Sequence, residues 1–202
     1  MSRGGRFGRY GEIKRMGRLR RSGFLSDPAA RFQSLKERIR FGRKEGKGPQ
    51  LRVRPVRQSD LHFVEELSGK VFEVYGPYRQ WVSRWFKVDS AVTLIALHEE
   101  RPVGFAMLGR FSNPAQVLFS AELLAIAVEP RKQRMGAGRL LMNEIEEIAL
   151  SLGVNRLFLH TAKDNLPAQK LFRSCLFTPS ELKRNFYPAG QDALLMFKDL
   201  LL

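Results

Sequence analysis

Apolar residues change their spacing repeatedly along this chain, and each change marks an element. LRVRPV, from Leu51, alternates apolar with basic positions as a half-buried strand does. LHFVEELSGKVF moves to helical spacing, with Ser59 and Asp60 placed just before it to supply N-cap oxygens. A second helix is expected over PYRQWVSRWFK, where Trp81 and Trp85 stand one turn apart on a common face and read as core. VTLIALHEERPVGFAMLGRF reads as two apolar strands joined through Glu99, Glu100, Arg101 and Pro102. AELLAIAV is a third apolar strand ending at Pro130.

The second half repeats these signals. RLLMNEIEEIALSLG presents Leu140, Leu141, Ile145, Ile148 and Leu152 along one helical side, and Gly153 supplies its stop. NRLFLHTA is a further strand, LPAQKLFRSCLF another helix, and ALLMFKDL a final strand. The order β-α-α-β-β-β-α-β-α-β predicts an α/β or α+β domain, a mixed sheet packed with helices, over residues 51–202.

Residues 1–50 break the pattern. They hold 15 Lys/Arg against 4 Asp/Glu, which accounts for most of the formal charge of +15. Arg and Gly with scattered aromatics give no sustained period, so this basic extension is expected to stay largely disordered, with one short amphipathic helix after Pro28. Three readings of it stay open: an arm that contacts RNA or the ribosome, a solubilising or non-specifically sticky tail, or a mitochondrial presequence. Elsewhere, composition mostly excludes. A single cysteine, Cys175, rules out an internal disulfide or a CxxC zinc site, and His62, His98 and His160 lack ligand spacing, so no metal is expected. Cys175 reads as core packing and fits a reducing, cytoplasmic setting. The longest unbroken apolar run, Leu123 to Val128, is far below the roughly 20 residues of a membrane helix, so no membrane partner is expected.

Between the third strand and its helix lies VEPRKQRMGAGRLLM. A strand that turns by Gly136 into a helix exposes backbone N–H groups at a positive helix end, and Arg131, Lys132, Arg134 and Arg139 add charge. Gly136 and Gly138 leave room for close approach. These features favour phosphate or pyrophosphate and leave the ligand open. A P-loop would need GxxxxGK[ST], and a dinucleotide turn would need a third glycine where Leu141 stands.

Gln133, Arg134, Met135, Gly136, Ala137 and Gly138 match the Q/R-x-x-G-x-G/A signature of the GNAT superfamily, and DNLPAQKLFRSCLF resembles its N-x-x-A-x-x-L-Y-x-x-x-G-F segment. The resemblance spans residues 51–202. It implies a mixed, mainly antiparallel sheet flanked by helices and acetyl-CoA as cosubstrate. By position it implies Ile126, Ala127 and Val128 for the pantetheine arm and Arg131, Gln133, Arg134, Met135, Gly136, Ala137, Gly138 and Arg139 for the pyrophosphate. Asn165 matches an asparagine that touches the cofactor. ELKRNFYPAGQDALLM resembles the loop between the last two strands of RimI-like N-terminal α-amino acetyltransferases, which implies Asn185 and Tyr187 for gripping a protein or peptide N-terminus.

Direct acetyl transfer needs a neutral amine, a polarised carbonyl and a proton for the departing thiolate. His160 alternates with Leu157 and Leu159 onto the opposite strand face and stands where relatives carry a base. Glu122 is a second base candidate, read otherwise as a sheet-edge or solvated carboxylate. With ordinary pKa values, proton transfer to a histidine is uphill by roughly 2 kcal/mol from an α-amine and roughly 5 from a lysine, which favours a chain terminus. The resemblance implies a donor tyrosine where Phe172 stands, which keeps Phe172 among the cofactor-binding positions, and a glycine where Leu176 stands. That departure assigns the donor role to water or Tyr187, and it keeps two alternatives in view: transfer to a lysine or small amine, and a non-catalytic acyl-CoA-binding module.

Overall fold

The computed structural model describes residues 51–87, 91–109 and 119–200. The readings made for residues 1–50, and for Arg110 and Phe111 at the end of the hairpin, lie outside them. The chain runs β1 (Leu51–Pro55), α1 (Leu61–Phe72), α2 (Tyr78–Phe86), β2 (Val92–His98), β3 (Arg101–Gly109), β4 (Ser120–Val128), α3 (Ala137–Ser151), β5 (Arg156–Ala162), α4 (Leu166–Ser174), β6 (Thr178–Lys183) and β7 (Ala193–Asp199). The ten expected elements are present, and β6 is an eleventh. Five of its six residues are exposed, so no apolar alternation marks it.

One sheet takes all seven strands in the order β1-β2-β3-β4-β5-β7-β6. Every neighbouring pair is antiparallel except β4 and β5. Helices cover both faces, which is why β2 is buried at every position. Its side chains alternate between two cores. Leu94 and Ala96 pack with Leu141, Met142, Ile145 and Ile148 of α3, whereas Ile95 and Leu97 pack with Val64 and Leu67 of α1 and Val82 of α2. The buried stripe of α3 is rotated slightly from expectation, with Met142 enclosed and Leu140 only half-buried.

Two further expectations need correction. Asp60 does precede α1, but its carboxylate turns back, accepting the Arg57 N–H at 2.6 Å and both Arg54 guanidinium nitrogens at 2.6 and 2.9 Å. A buried carboxylate gains more from a guanidinium fork than from a helix amide. The β2–β3 turn is only Glu99 and Glu100, both at positive φ, while Arg101 and Pro102 belong to β3.

Helices α3 and α4 end in the same way. After α3, Gly153 N–H reaches Leu150 O and Val154 N–H reaches Ala149 O, with Gly153 at φ +79°. After α4, Leu176 N–H reaches Arg173 O, Phe177 N–H reaches Phe172 O, and the Phe172 and Phe177 rings meet at 6.1 Å. Both are Schellman caps, which want glycine at the left-handed position. The second puts Leu176 there, at φ +68° and 75% exposed. Leu176→Gly should therefore stabilise the protein by about 1 kcal/mol, raising the thermal midpoint by roughly 3 °C in calorimetry. An unchanged or lower midpoint would contradict this account of the cap.

Candidate active site

Parallel pairing of β4 with β5 runs from Ser120↔Arg156 to Leu123↔Leu159 and stops. Beyond that point β4 continues to Val128 paired only with β3, and β5 continues to Ala162 paired only with β7. The register between β3 and β4 slips at the same place, leaving Leu124 as an extra residue opposite the Met107–Leu108 step. A bulge of this kind bends its strand and sharpens the twist. The two strands diverge, and a cavity of about 70 Å³ opens between them. Leu124, Ala125 and Ile126 form one wall, His160, Thr161 and Ala162 another, Asn165, Ala168 and Phe172 of α4 a third, and Phe72, Tyr75, Tyr78 and Tyr187 complete it. Ile126, Ala127 and Val128 thus lie on a stretch of backbone with no strand on the β5 side.

At the end of β4, residues 130–132 make a single 3-10 turn and Gln133 folds back, its side-chain amide donating to Val128 O at 3.3 Å. Arg134 and Gly136 take positive φ values of +63° and +93°. Gly136 is the N-cap of α3, and neither a side-chain cap nor an acid occupies the first turn. The first intrahelical bond is Leu140 N–H to Gly136 O. The amides of Ala137, Gly138 and Arg139 therefore have no acceptor within the helix. Gly138 is tight for another reason, since a Cβ there would sit 3.1 Å from Leu171 Cδ2. Arg131, Arg134 and Arg139 are exposed and Met135 is half-buried. The Arg139 guanidinium donates to Ser174 O at the end of α4, so its side chain ties two helices together while its amide faces the turn.

His160 and Glu122 meet in the split. His160 Nδ1 lies 3.0 Å from Glu122 Oε1, with the side chains only 12% and 8% exposed. Glu122 pairs in register with Phe158, two residues before His160 on the same face, so the parallel register brings the pair together. The solvated sheet-edge reading of Glu122 is overturned by this burial. A carboxylate at Nδ1 holds the proton there and leaves Nε2 as the basic nitrogen. Nε2 is buried and has no hydrogen-bond partner among the described residues. Phe186 stacks on the imidazole at 4.4 Å and 16°. A cavity of about 20 Å³, room for one water, lies among His160, Glu122, Tyr78, Trp85 and Phe186. Trp81 and Trp85 are half-buried and pack against the α1–α2 core, as expected, Trp81 through Tyr78, and Trp85 also walls this cavity.

Two connections roof the split. Gln191 Nε2 in the β6–β7 loop donates to Val74 O at 2.7 Å, and the Tyr187 ring packs at 4.9 Å from Tyr75 and 6.2 Å from Tyr78. Asn185, in the same loop, is exposed at φ +48°, its amide donating to Asp192. Tyr75 and Tyr78 are site residues that pattern reading missed. The signal for them was the Gly76–Pro77 break between two tyrosines. Burial pushes the Tyr75 phenol up, the Asp164 charge adds to it, and the Asn165 amide donating to the hydroxyl oxygen opposes both. Asn165 is also the N-cap of α4, accepting from Ala168 N–H at 3.2 Å. Phe172 is buried on the α4 wall. Cys175 lies buried behind it, its thiol pushed up by burial, as befits packing.

Comparison with known proteins places this geometry. The model of the acetyltransferase (GNAT) family matches residues 60–177. A ribosomal protein bS18-alanine N-acetyltransferase of Salmonella typhimurium is 35% identical over 92 residues, which cover 44% of this chain and 62% of that protein. The match to this relative therefore spans about three-fifths of its length. An N-alpha-acetyltransferase of Sulfurisphaera tokodaii is 26% identical over 157 residues, 74% of this chain and 93% of its own. Among solved structures, Arabidopsis thaliana NAA60 in complex with acetyl-CoA superposes with a TM-score of 0.65 at 18% identity, covering 75% of this chain and 99% of that one.

The double duty of Asn165 is separable. Asn165→Ala should cost about 1 kcal/mol in chemical denaturation through loss of the cap, whereas Asn165→Asp, which keeps a capping oxygen, should stay within about 0.5 kcal/mol of the parent. Equal losses in both would show that the cap is not what the asparagine contributes to stability.

Proposed function

The chain belongs to the GNAT acetyltransferase family, and from that premise we propose that it moves the acetyl group of acetyl-CoA directly to the N-terminal α-amine of a protein. The observation that carries this reading is the buried His160–Glu122 pair at the divergence of β4 and β5, with Glu122 on the strand that runs on into a glycine turn whose amides at 137–139 have no acceptor within the helix. The residues fit the cosubstrate. Amides at 137–139 receive the pyrophosphate, aided by Arg131 and Arg134, with Gly136 and Gly138 allowing contact. The pantetheine arm takes up the unpaired side of β4 at Ile126, Ala127 and Val128, as an added strand would. This delivers the thioester to the split.

There the incoming amine gives its proton to His160 Nε2, directly or through the single water the small cavity accepts. Glu122 holds the opposite N–H and stabilises the imidazolium. Tyr78, Phe186 and Tyr187 enclose the acceptor, and Asn185 stands on the outer face of the same loop. Support for a protein terminus over a lysine comes from the roughly 3 kcal/mol easier proton transfer from an α-amine, and from the relatives named for N-terminal and ribosomal-protein acetylation. The surplus of 11 positive charges in residues 1–50 supports a ribosomal protein as acceptor in the cytoplasm, with the front steering the enzyme to RNA-rich surfaces.

In calorimetry, the purified protein should bind acetyl-CoA, and Gly138→Glu, which brings a carboxylate to the amides, should weaken that affinity at least tenfold. His160→Gln should lower kcat by about a hundredfold with acetyl-CoA affinity within twofold of the parent. A panel of peptides with free and blocked α-amines decides the acceptor. Equal transfer to lysine in N-blocked peptides would replace the α-amine reading, and acetyl-CoA binding without turnover on any amine would make the protein a binding module.

A further inference from the structure

A thioester that gives up its acetyl group leaves a sulfur carrying an electron pair, and that sulfur needs a proton. The α4 wall of the cavity is Asn165, Ala168 and Phe172, one helical side spaced by three and four residues. None of the three is an acid. Facing this wall is Tyr75, whose ring is held against Tyr187 at 4.9 Å.

Asn165 decides what the Tyr75 hydroxyl does. Asn165 opposes the upward push on the Tyr75 phenol, as an NH₂ donating to the hydroxyl oxygen does, while its carboxamide oxygen accepts from Ala168 N–H. A phenol oxygen that accepts one hydrogen bond keeps its own hydrogen for another acceptor. Because the ring lines the cavity, that acceptor is whatever occupies the cavity next to α4. On the acetyl-transfer reading above, we propose that Tyr75 is the acid that protonates the departing thiolate, with Asn165 as its positioning residue.

The amine nitrogen forms the C–N bond and gives one proton to His160 Nε2. Collapse of the tetrahedral intermediate breaks the C–S bond, the electron pair leaves on sulfur, and the Tyr75 hydroxyl supplies the proton that completes the thiol. The imidazolium then returns its proton to the phenolate through water. One amine and one thioester become one amide and one thiol, with no oxidant or reductant. Burial and the nearby Asp164 charge keep the phenol protonated through neutral pH, ready to donate.

The test measures contact with sulfur separately from turnover. Affinities of the full chain for CoA and for desulfo-CoA are compared by calorimetry at about pH 9, where an ordinary thiol is largely ionised. The parent should prefer CoA roughly tenfold, as a hydrogen bond to a charged acceptor requires. Tyr75→Phe should bring that ratio close to one without changing desulfo-CoA affinity, and should lower kcat at least about tenfold. Adding Phe172→Tyr to Tyr75→Phe returns a phenol to the wall and should recover both quantities. A ratio unchanged in Tyr75→Phe, a ratio lost in Tyr187→Phe instead, or no recovery with Phe172→Tyr would each overturn the proposal. A Tyr75-dependent ratio in a protein that acetylates no amine would support the sulfur contact while refuting the proposed function.

Discussion

Hydrogen bonding between β4 and β5 ends after Leu123 and Leu159, and the rest of the site depends on that ending. Were the two parallel strands paired to their tips, the backbone at 124–128 would be satisfied on both sides and no cavity would separate them. The bulge at Leu124 forces the departure by adding one residue to β4 that β3 cannot match. The helices then hold the halves apart. Ala125 and Ala127 are packed into the α1–α2 core, while Leu123, Leu159 and Phe172 join the core under α3 and α4. Polar backbone that opens inside a domain must find partners. Here one strand edge stays open, the edge that the proposed function gives to the pantetheine arm.

Two helix starts flank this opening, and they are treated oppositely. The start of α4 is closed by Asn165, which uses its oxygen on the helix and its NH₂ on Tyr75. The start of α3 has a glycine cap, no side-chain acceptor and no acid. Its positive end is left to cationic neighbours that repel one another unless an anion arrives. On the proposed function one terminus serves structure and the other affinity, and the 30 or so residues between them carry β5 with His160.

Much of this was legible in the chain. The β2, β3 and β4 runs, the apolar side of α3, the glycine turn and the placing of His160 on the strand face opposite Leu157 and Leu159 all follow from local spacing. The Glu122–His160 contact does not, because the residues are 38 apart and meet only through a parallel register that no period encodes. Tyr75 and Tyr78 escaped for a related reason: helical spacing shows which face of α2 is buried, but the cavity is reached from the break before it. Asp60 satisfied the rule for an N-cap and still chose Arg54, since a charged guanidinium fork matches both carboxylate oxygens. Leu176 and Glu99–Glu100 occupy left-handed positions by tertiary demand against their own preference.

The outermost strand, β6, was invisible to pattern reading because it has almost no buried residue, and the same fact governs how the molecule behaves among copies of itself. Its outer edge, without a neighbouring strand among the described residues, carries Pro179, a register slip between Pro179 and Glu181, and the charges of Glu181 and Lys183. Proline removes a donor, the irregularity twists the edge, and charge penalises a flat neighbour. A border built this way disfavours templated addition of another chain at β6, and so resists the slide into fibrils that a smooth apolar border would invite.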